Sequence, residues 1–319
     1  MNDIYDNTLA LLENFLPIDK WPEMRYLIQR AAGTQPRAWQ MPIAACEAVG
    51  GNRKQALPAV ASIACLQVHF LLIDDLLDED PRGQHHHLGV AVAANLAAAF
   101  QAAAANVVAH SQANPTIRLA VLDSLHQMVQ TTSLGQHLDT QDVTDENTYW
   151  DIVRSKSGSY FGTTLHIGAL LGGATLDVAN QLKQVGSLYG EMTQIHDDLN
   201  DSLEVPANPD WIQGRSPLPI LFAEIVAHPK RSRFHELRHS ISDPTALAEA
   251  QDILWRSGGI SYGIDQLLRR YQKACDMLAA IPLVLRTGLE ELLEEQAKPV
   301  WSLFHSMGVE EPERMAIAI

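Results

Sequence analysis

The chain has 319 residues, 46% of them hydrophobic, which is enough to bury one large core. It carries 23 Lys and Arg against 38 Asp and Glu, for a formal net charge of −15. Proteins that bind nucleic acid present a basic surface to the phosphates, so this composition argues against a nucleic-acid partner. Cys46, Cys65 and Cys275 lie far apart and match neither a zinc site nor a disulfide framework.

The N-terminal segment carries Asp3 and Asp6 where a secretory signal would have Lys or Arg, so we expect a cytoplasmic protein. Residues 85–117 contain no Asp, Glu, Lys or Arg. Their many alanines have a small transfer free energy, and Asn95, Gln101 and Asn106 interrupt the apolar run. We therefore predict a packed interior helix in this segment and no membrane span.

Apolar residues recur at helical spacing along nearly the whole chain, for instance in segments 122–139, 149–173, 176–201 and 264–296. Alternating strand patterns bounded by tight turns are scarce. The breaks rich in Pro, Gly or Asn are too short to be domain linkers. We predict an all-α protein, a single domain over residues 1–319, built from about ten or more helices.

An acidic motif with identical spacing occurs twice, as DDLLD at residues 74–78 and as DDLND at residues 197–201. Its aspartates are Asp74, Asp75, Asp78, Asp197, Asp198 and Asp201. Positions i, i+1 and i+4 fall within about one helical turn, so we expect each motif to present its carboxylates on one face. Each copy follows an apolar helix with a glutamine on that face, Gln67 or Gln194. A solvated acidic helix end would explain one copy, but duplication at the same spacing favours a shared site.

Clustered carboxylates raise one another's pKa values and are costly unless a cation neutralises them. Ligands that are all oxygen favour Mg²⁺ over zinc, because Mg²⁺ binds a few carboxylates, water and substrate phosphate oxygens. A Mg²⁺ site would also let a strongly acidic protein hold a polyanionic substrate. We therefore predict a magnesium site between the two motifs.

At these residues the chain resembles the trans-isoprenyl diphosphate synthases, the polyprenyl synthetase family of farnesyl and geranylgeranyl diphosphate synthases. Five segments carry the resemblance in the family's order, over about residues 30 to 300. They are QVHFLLIDDLLDEDPRGQ (67–84), GQHLD (135–139), IVRSKSGS (152–159), YGEMTQIHDDLND (189–201) and GRSPLP (214–219). The resemblance implies the isoprenoid synthase class I fold, an all-α bundle around a deep central cavity, in a homodimer with three Mg²⁺ at each cavity mouth.

The resemblance also implies roles for individual residues. The expected direct metal ligands are Asp74, Asp78 and Asp197, supported by Asp75, Asp198 and Asp201. The side chains expected to grip diphosphate oxygens are Arg82, Lys156 and Arg215, and those expected to contact substrate include Gln67 and Gln194. Arg215 stands where the family usually has Lys, which retains the charge but changes the donor geometry.

The implied reaction is prenyl transfer. An allylic diphosphate ionises because Mg²⁺ and cationic side chains stabilise the departing diphosphate, and isopentenyl diphosphate then attacks the carbocation head to tail. Phe70 lies one helical turn before Asp74, where the family sets product length. A side chain of this size leads us to expect a C15 to C20 product.

The resemblance weakens where the diphosphate of isopentenyl diphosphate would bind. The family carries Gly-Gly-Lys-Arg-x-Arg-Pro there, whereas this chain has AGTQPRAWQMP and offers Arg37 alone. The segment from the first motif to Arg82 also carries one Arg in place of two. Ordinary elongation with isopentenyl diphosphate remains the main hypothesis. Three further hypotheses stay open: prenyl transfer to a peptide or small molecule, class I terpene cyclisation and a non-catalytic partner subunit.

Overall fold

The computed structural model describes residues 3–18, 20–141 and 143–306. These residues form helices and contain no strand, so the all-α prediction is confirmed. The helices are α1 (Asp3–Leu12), α2 (Pro22–Gly33), α3 (Met41–Ala48), α4 (Arg53–Leu77), α5 (His85–Leu88), α6 (Val90–Ala109), α7 (Pro115–Asp139), α8 (Glu146–Val153), α9 (Ser159–Leu171), α10 (Leu176–Leu203), α11 (Pro209–Ile212), α12 (Leu218–Ile225), α13 (Arg231–Arg238), α14 (Pro244–Ser257), α15 (Gly259–Ala280) and α16 (Thr287–Ser306). A 3₁₀ turn (Arg37–Trp39) precedes α3, and a π-helical segment (Arg154–Gly158) joins α8 to α9.

Side-chain caps fix where the helices that form the site begin. Asn52 caps α4 by accepting from the backbone N–H groups of Lys54 and Gln55, and the Gln55 side chain accepts in return from the Asn52 N–H. Asp145 caps α8, and Thr175 caps α10. Each cap satisfies N–H groups that have no partner inside the helix, so the start of each helix is set locally by its sequence.

The main core surrounds α4, which is buried on most sides from Ala56 to Leu72. Its first acidic motif lies at the C-terminal end of the helix, and the second motif lies in the last two turns of α10. Helix C-termini carry partial negative charge on their free carbonyl groups, which adds to the charge of the aspartates. The fold therefore brings two helix ends that favour a cation to one region.

A smaller hydrophobic cluster around Trp211 and Phe234 joins α11, α12, α13 and α14. Leu199 of α10 and Ile264 of α15 pack against both this cluster and the main core. The small cluster thus rests on the helix that bears the second motif. It supports the connection between α11 and α12, residues 213–217, beside that motif.

Two helices, α4 and α6, are long and apolar enough to cross a membrane by length and composition. The most apolar window of α4 is 67% buried, as expected for a core helix, whereas that of α6 is 39% buried. The prediction that this segment forms an interior helix is therefore wrong for one side of α6, which is not buried within the chain. The outer side of α6 is exposed and carries small, uncharged residues such as Ala94 and Ala98.

Candidate active site

The two acidic motifs line one cavity, as the sequence predicted. Asp74 and Asp78 enter it from the end of α4, and Asp197, Asp198 and Asp201 enter it from α10. The cavity has a volume of about 680 Å³. Its other walls are formed by the end of α7, by α8, by the π-helical segment and by residues 213–217.

Asp75 faces away from this cavity. Its Oδ2 accepts the backbone N–H of Gln84 at 2.8 Å and so holds the loop that follows α4. Successive residues of a helix are separated by about 100° around its axis, so Asp75 projects from a different side of α4 than Asp74 does. The prediction that all three carboxylates of the first motif share one face is therefore wrong for Asp75.

Lys156 reaches the cavity from the π-helical segment, a local widening of the helix that often occurs at functional sites. Its Nζ forms an ion pair with Asp139 and lies 3.9 Å from Asp74 Oδ1. Burial lowers the pKa of Lys156, but the charges of Asp139 and Asp74 outweigh burial, so the pKa is raised. Gly135 makes room for this side chain, because a Cβ there would lie 2.9 Å from Lys156 Cγ. The lysine is thus held charged at the end of α7.

Arg215 enters from residues 213–217, where Gly214 has a φ of +89° that favours glycine. The Arg215 Nη2 donates to Asp78 Oδ1 at 2.5 Å, and the side chains are 20% and 19% exposed. The Gln213 side chain also donates to the backbone oxygen of Asp78 at 3.3 Å. The residues after α11 are therefore tied to the first motif across the cavity mouth.

Protein surroundings make Asp74 and Asp197 harder to ionise. Burial raises the pKa of Asp74, the charge of Lys156 lowers it, and Asp78 raises it further. Asp197 is open to the cavity, yet partial loss of water and the adjacent Asp198 raise its pKa to about 6. We find no hydrogen bond or ion pair from the Asp197 carboxylate to the described residues. Both carboxylates would gain from a nearby cation.

Asp198 is buried and has a different role from Asp197. Its Oδ2 accepts from the Tyr149 hydroxyl at 2.6 Å and from the Leu218 N–H at 2.7 Å, and its Oδ1 accepts from Gln194 Nε2 at 2.9 Å. Burial raises the pKa of Asp198, and these hydrogen bonds act in the opposite direction. Gln194 also accepts from Ser157 at 3.1 Å. Asp198 therefore joins α8, α10 and the start of α12.

Two residues expected to bind substrate do not line the cavity. Gln67 lies two turns below Asp74, and its Oε1 accepts from the buried Trp39 indole Nε1 at 2.7 Å. Arg37 lies in a separate groove, where its Nη2 is 2.7 Å from Glu295 Oε1. Neither contact could be seen in the sequence, because each joins segments far apart in the chain.

Arg82 and Phe70 border the site. Arg82 pairs with Asp80 at 3.2 Å and lines an adjoining cavity of about 620 Å³, whose wall also includes Asp74 and Asp78. Phe70 lies one turn below Asp74 and packs edge to face on Tyr160, with ring centroids 6.1 Å apart. Arg82 is thus placed at the entrance, and Phe70 beneath the acidic residues.

Sequence reasoning did not assign roles to three residues that the structure places in contact with the motif aspartates or with Lys156. Gln136 donates a hydrogen bond to Asp74, Asp139 pairs with Lys156, and Tyr149 donates to Asp198. Gln136 and Asp139 belong to the segment GQHLD, so a signal for both was present in the order of the motifs. Tyr149 had no such signal, because its contact depends on how α8 packs against α10.

Comparison with known proteins places the chain in a family. Residues 24–254 match the family model described as polyprenyl synthetase. The chain belongs to this family. The geranylgeranyl diphosphate synthase of Methanosarcina mazei is 31% identical over 205 residues, which span 60% of this chain and 63% of that protein. The match therefore covers less than two thirds of that relative.

Solved structures of the family share the fold. The geranylgeranyl pyrophosphate synthetase from Pyrococcus horikoshii superposes with a TM-score of 0.79 at 22% identity, covering 92% of this chain and 93% of that one. A polyprenyl synthase from Caulobacter crescentus, complexed with calcium and isoprenyl diphosphate, gives 0.72 at 19% identity, covering 92% and 97%. The predicted isoprenoid synthase fold is confirmed.

The charges of the cavity fit divalent cations that bind together with a phosphate ligand. Six aspartates line it, against Lys156 and Arg215 among the described lining residues, so its formal charge is 2 − 6 = −4. No three His, Cys, Asp or Glu residues in the described part of the chain are grouped closely enough to hold a metal by themselves. Mg²⁺ commonly completes its coordination with water and substrate phosphate, so an incomplete set of carboxylates suits it.

Proposed function

We propose that this member of the polyprenyl synthetase family is a Mg²⁺-dependent prenyltransferase. It would condense an allylic diphosphate head to tail with isopentenyl diphosphate and release a C15 to C20 prenyl diphosphate. The observation that carries this proposal is that both aspartate motifs, Lys156 and Arg215 line one cavity. The name of the Methanosarcina mazei relative supports the reaction class, and the Caulobacter crescentus complex supports joint binding of a divalent cation and an isoprenyl diphosphate.

The cationic side chains would bind the leaving diphosphate. Lys156 and Arg215 reach the cavity from different walls, so a diphosphate between them could accept from both. As the allylic C–O bond breaks, its electron pair stays on the diphosphate oxygen, where these donors stabilise the new charge. Mg²⁺ held by Asp74, Asp78 and Asp197 would stabilise the same leaving group as a Lewis acid. The acceptor double bond would then form the new C–C bond, and the released diphosphate would take the proton lost from the adjacent carbon.

Two aromatic rings would set the product length. The cavity walls reach Asp74 on α4 and Ser157 beside α9, and the next turns bring Phe70 and Tyr160 together beneath them. Both rings pack against the main core. A growing prenyl chain would therefore meet this pair soon after leaving the diphosphate site, which supports a short product.

A second candidate is prenyl transfer to a different acceptor. The residues expected to hold isopentenyl diphosphate have other partners, because Gln67 accepts from Trp39 and Arg37 pairs with Glu295. Arg82 remains near the cavity, but Asp80 neutralises it. The allylic half of the site is thus more complete than the acceptor half. This difference is the observation that favours a peptide or small molecule as the acceptor in the second candidate function.

One experiment separates these candidates, because an allylic diphosphate that stays intact with and without isopentenyl diphosphate would point to a different acceptor. Purified protein is incubated with Mg²⁺ and dimethylallyl, geranyl or farnesyl diphosphate, with and without isopentenyl diphosphate, and the products are identified by mass. Longer diphosphates that require isopentenyl diphosphate support elongation, and hydrocarbons or alcohols indicate cyclisation or hydrolysis. The matched control is Asp197→Ala, which we expect to abolish diphosphate release. Unchanged turnover in that variant would contradict the metal assignment.

We also propose a homodimer formed through α6. Its exposed side is uncharged, and exposed apolar residues such as Val90 (63%) and Leu119 (69%) lie on α6 and α7. An exposed apolar helix side commonly marks a protein interface. In sedimentation velocity, Ala98→Arg should give monomers, whereas Ala279→Arg on the exposed side of α15 should leave the wild-type mass. A monomeric wild type would contradict the proposal.

A further inference from the structure

A buried arginine outside the cavity contacts the backbone that presents Arg215. Arg238, the last residue of α13, has a side chain only 11% exposed. Its Nη2 donates to the Gly214 oxygen at 2.7 Å, to the Arg215 oxygen at 3.0 Å and to Ser216 Oγ at 3.3 Å. One guanidinium thus contacts three successive residues of the segment 213–217.

Glu224 of α12 completes this arrangement. Its Oε1 lies 3.1 Å from Arg238 Nε, and its Oε2 accepts from Ser216 Oγ at 2.9 Å. The planar guanidinium binds Glu224 through Nε and the two carbonyl groups through Nη2, so its donors act from two nitrogens in fixed directions, whereas an ammonium group donates from a single nitrogen. We call Arg238, Glu224 and Ser216 the Arg238 clamp.

Stability alone does not account for the clamp. Burial lowers the pKa of Arg238, and the charge of Glu224 opposes this effect. Its Nη1 is buried and has no hydrogen-bond partner among the described residues. Buried ion pairs are often no more stabilising than apolar side chains of similar volume. The contacts of Arg238 are instead concentrated on one segment, and that segment lines the cavity.

The clamped segment depends on such support. It contains Gly214 in a left-handed conformation. The N–H groups of Gln213 and Gly214 donate to Pro209 and Trp211 at the end of α11, and the segment then runs outside any helix to the start of α12. The carbonyl groups held by Arg238 belong to Gly214 and Arg215, so the clamp restrains the backbone on both sides of the Arg215 Cα. From there, the Arg215 side chain extends to Asp78 in the cavity.

We propose that Arg238 is a positioning residue for Arg215. The clamp fixes the backbone of residues 213–216 so that the Arg215 guanidinium remains within reach of a diphosphate bound in the cavity. The inference rests on the proposed function for the identity of that ligand. Its structural part, that Arg238 restrains residues 213–216, stands independently of any turnover.

The test compares Arg238→Lys with Arg233→Lys. Lysine at position 238 retains the charge but has a single nitrogen, so it cannot reproduce the separate contacts of Nε with Glu224 and of Nη2 with the two carbonyl groups. Arg233 lies on the same helix, 49% exposed and paired with Glu249, so its replacement controls for a charge-conserving change on α13. Two readouts are used: hydrogen–deuterium exchange of residues 213–216, and calorimetric binding of inorganic pyrophosphate with Mg²⁺. Binding is also measured with Arg215→Ala alone and combined with Arg238→Lys.

We expect Arg238→Lys to speed exchange at residues 213–216 and to weaken pyrophosphate binding roughly tenfold, the order expected for lost hydrogen bonds to a charged group. Arg233→Lys should change neither quantity. In the Arg215→Ala background, Arg238→Lys should cause no further loss of affinity. The inference would be overturned if Arg238→Lys weakened pyrophosphate binding as much in the Arg215→Ala background as in the wild type. It would also be overturned if hydrogen–deuterium exchange at residues 213–216 stayed unchanged. Failure of the proposed function would appear differently, as wild-type protein that turns over no allylic diphosphate while the exchange result still holds.

Discussion

Asp197 and Asp198 are neighbours in the second motif, and the structure predicts that replacing them has different effects on folding. Asp198→Ala leaves the Tyr149 hydroxyl, the Leu218 N–H and the Gln194 amide without their buried acceptor. Each unsatisfied buried donor costs about 1–3 kcal/mol. Removing the desolvated carboxylate offsets part of this cost. We therefore expect the free energy of unfolding to fall by about 3 kcal/mol, which corresponds to a decrease in Tm of about 4–5 °C for a chain of this size.

Asp197→Ala removes a carboxylate that has no hydrogen bond or ion pair to the described residues. The change also relieves repulsion from Asp198, which contributes to the raised pKa of Asp197. The free energy of unfolding should therefore stay within about 0.5 kcal/mol of wild type, or rise slightly. Asp198→Asn should lie between the two alanine variants. Its amide oxygen can still accept from Tyr149 and Leu218, and rotation of the Gln194 amide can restore the third hydrogen bond.

The assay is equilibrium unfolding in urea at pH 7.5 without Mg²⁺, with diphosphate release measured in parallel. Both alanine variants should lose activity, but only Asp198→Ala should shift the unfolding midpoint strongly. If Asp197→Ala proves as destabilising as Asp198→Ala, or if neither changes the midpoint, then the division between an open carboxylate and a buried acceptor is wrong.

Three further predictions concern pH, product length and the acceptor. Burial raises the pKa of Asp74 and that of Asp197, the latter from 3.8 to about 6. A carboxyl whose folded-state pKa exceeds its unfolded value stabilises the fold only at low pH, and this contribution is lost as pH rises through about 6. Mg²⁺ binds the ionised form, so in scanning fluorimetry it should raise Tm more at pH 7.5 than at pH 5.5, and an equal shift would contradict the assignment. Phe70→Ala should lengthen the product by at least one isoprene unit in mass spectrometry, whereas Tyr160→Phe should not. An unchanged product from Phe70→Ala would show that other residues limit the length of the prenyl chain. Arg37→Ala should leave the KM for isopentenyl diphosphate within about twofold in steady-state kinetics, because Arg37 lies in a groove apart from the cavity and exposed ion pairs contribute little. A much larger KM would show that Arg37 reaches the substrate.

The sequence was sufficient to find the two helix ends that meet. Apolar helical runs that end in carboxylates at i and i+4 place Asp74 and Asp78 together, and the second motif repeats this arrangement at Asp197 and Asp201. The order of the segments then gave the fold, because each motif occupies a fixed place in the family's chain. Periodicity predicts which face of a helix is apolar, and this information suffices to bring both motifs to one cavity.

The sequence could not reveal which polar partner each side chain would take. Gln67 lies two turns before the first motif and accepts from Trp39, whereas Gln194 lies one turn before the second motif and lines the cavity. The partner of Gln67 comes from a 3₁₀ turn that places an indole beside α4, which no local pattern specifies. The Arg238 clamp was equally hidden, because Arg238 lies 23 residues from Arg215 on a short helix without any recognisable motif.

The cations of the cavity lie beside the carboxylates that are proposed to bind metal. Lys156 lies near Asp74, and Arg215 contacts Asp78. A divalent cation alone must compete with these ion pairs for the carboxylates, and a diphosphate alone must enter a cavity whose formal charge is −4. If both bind as proposed, the metal would take Asp74 and Asp78, Arg215 would be freed for the diphosphate, and Lys156 would turn its remaining donors to the diphosphate while still paired with Asp139. Each ligand would therefore increase the affinity for the other by the same factor, since linkage is reciprocal. This exchange of partners would explain how an acidic cavity can select a polyanion, and why Lys156 and Arg215 are already held at its edge.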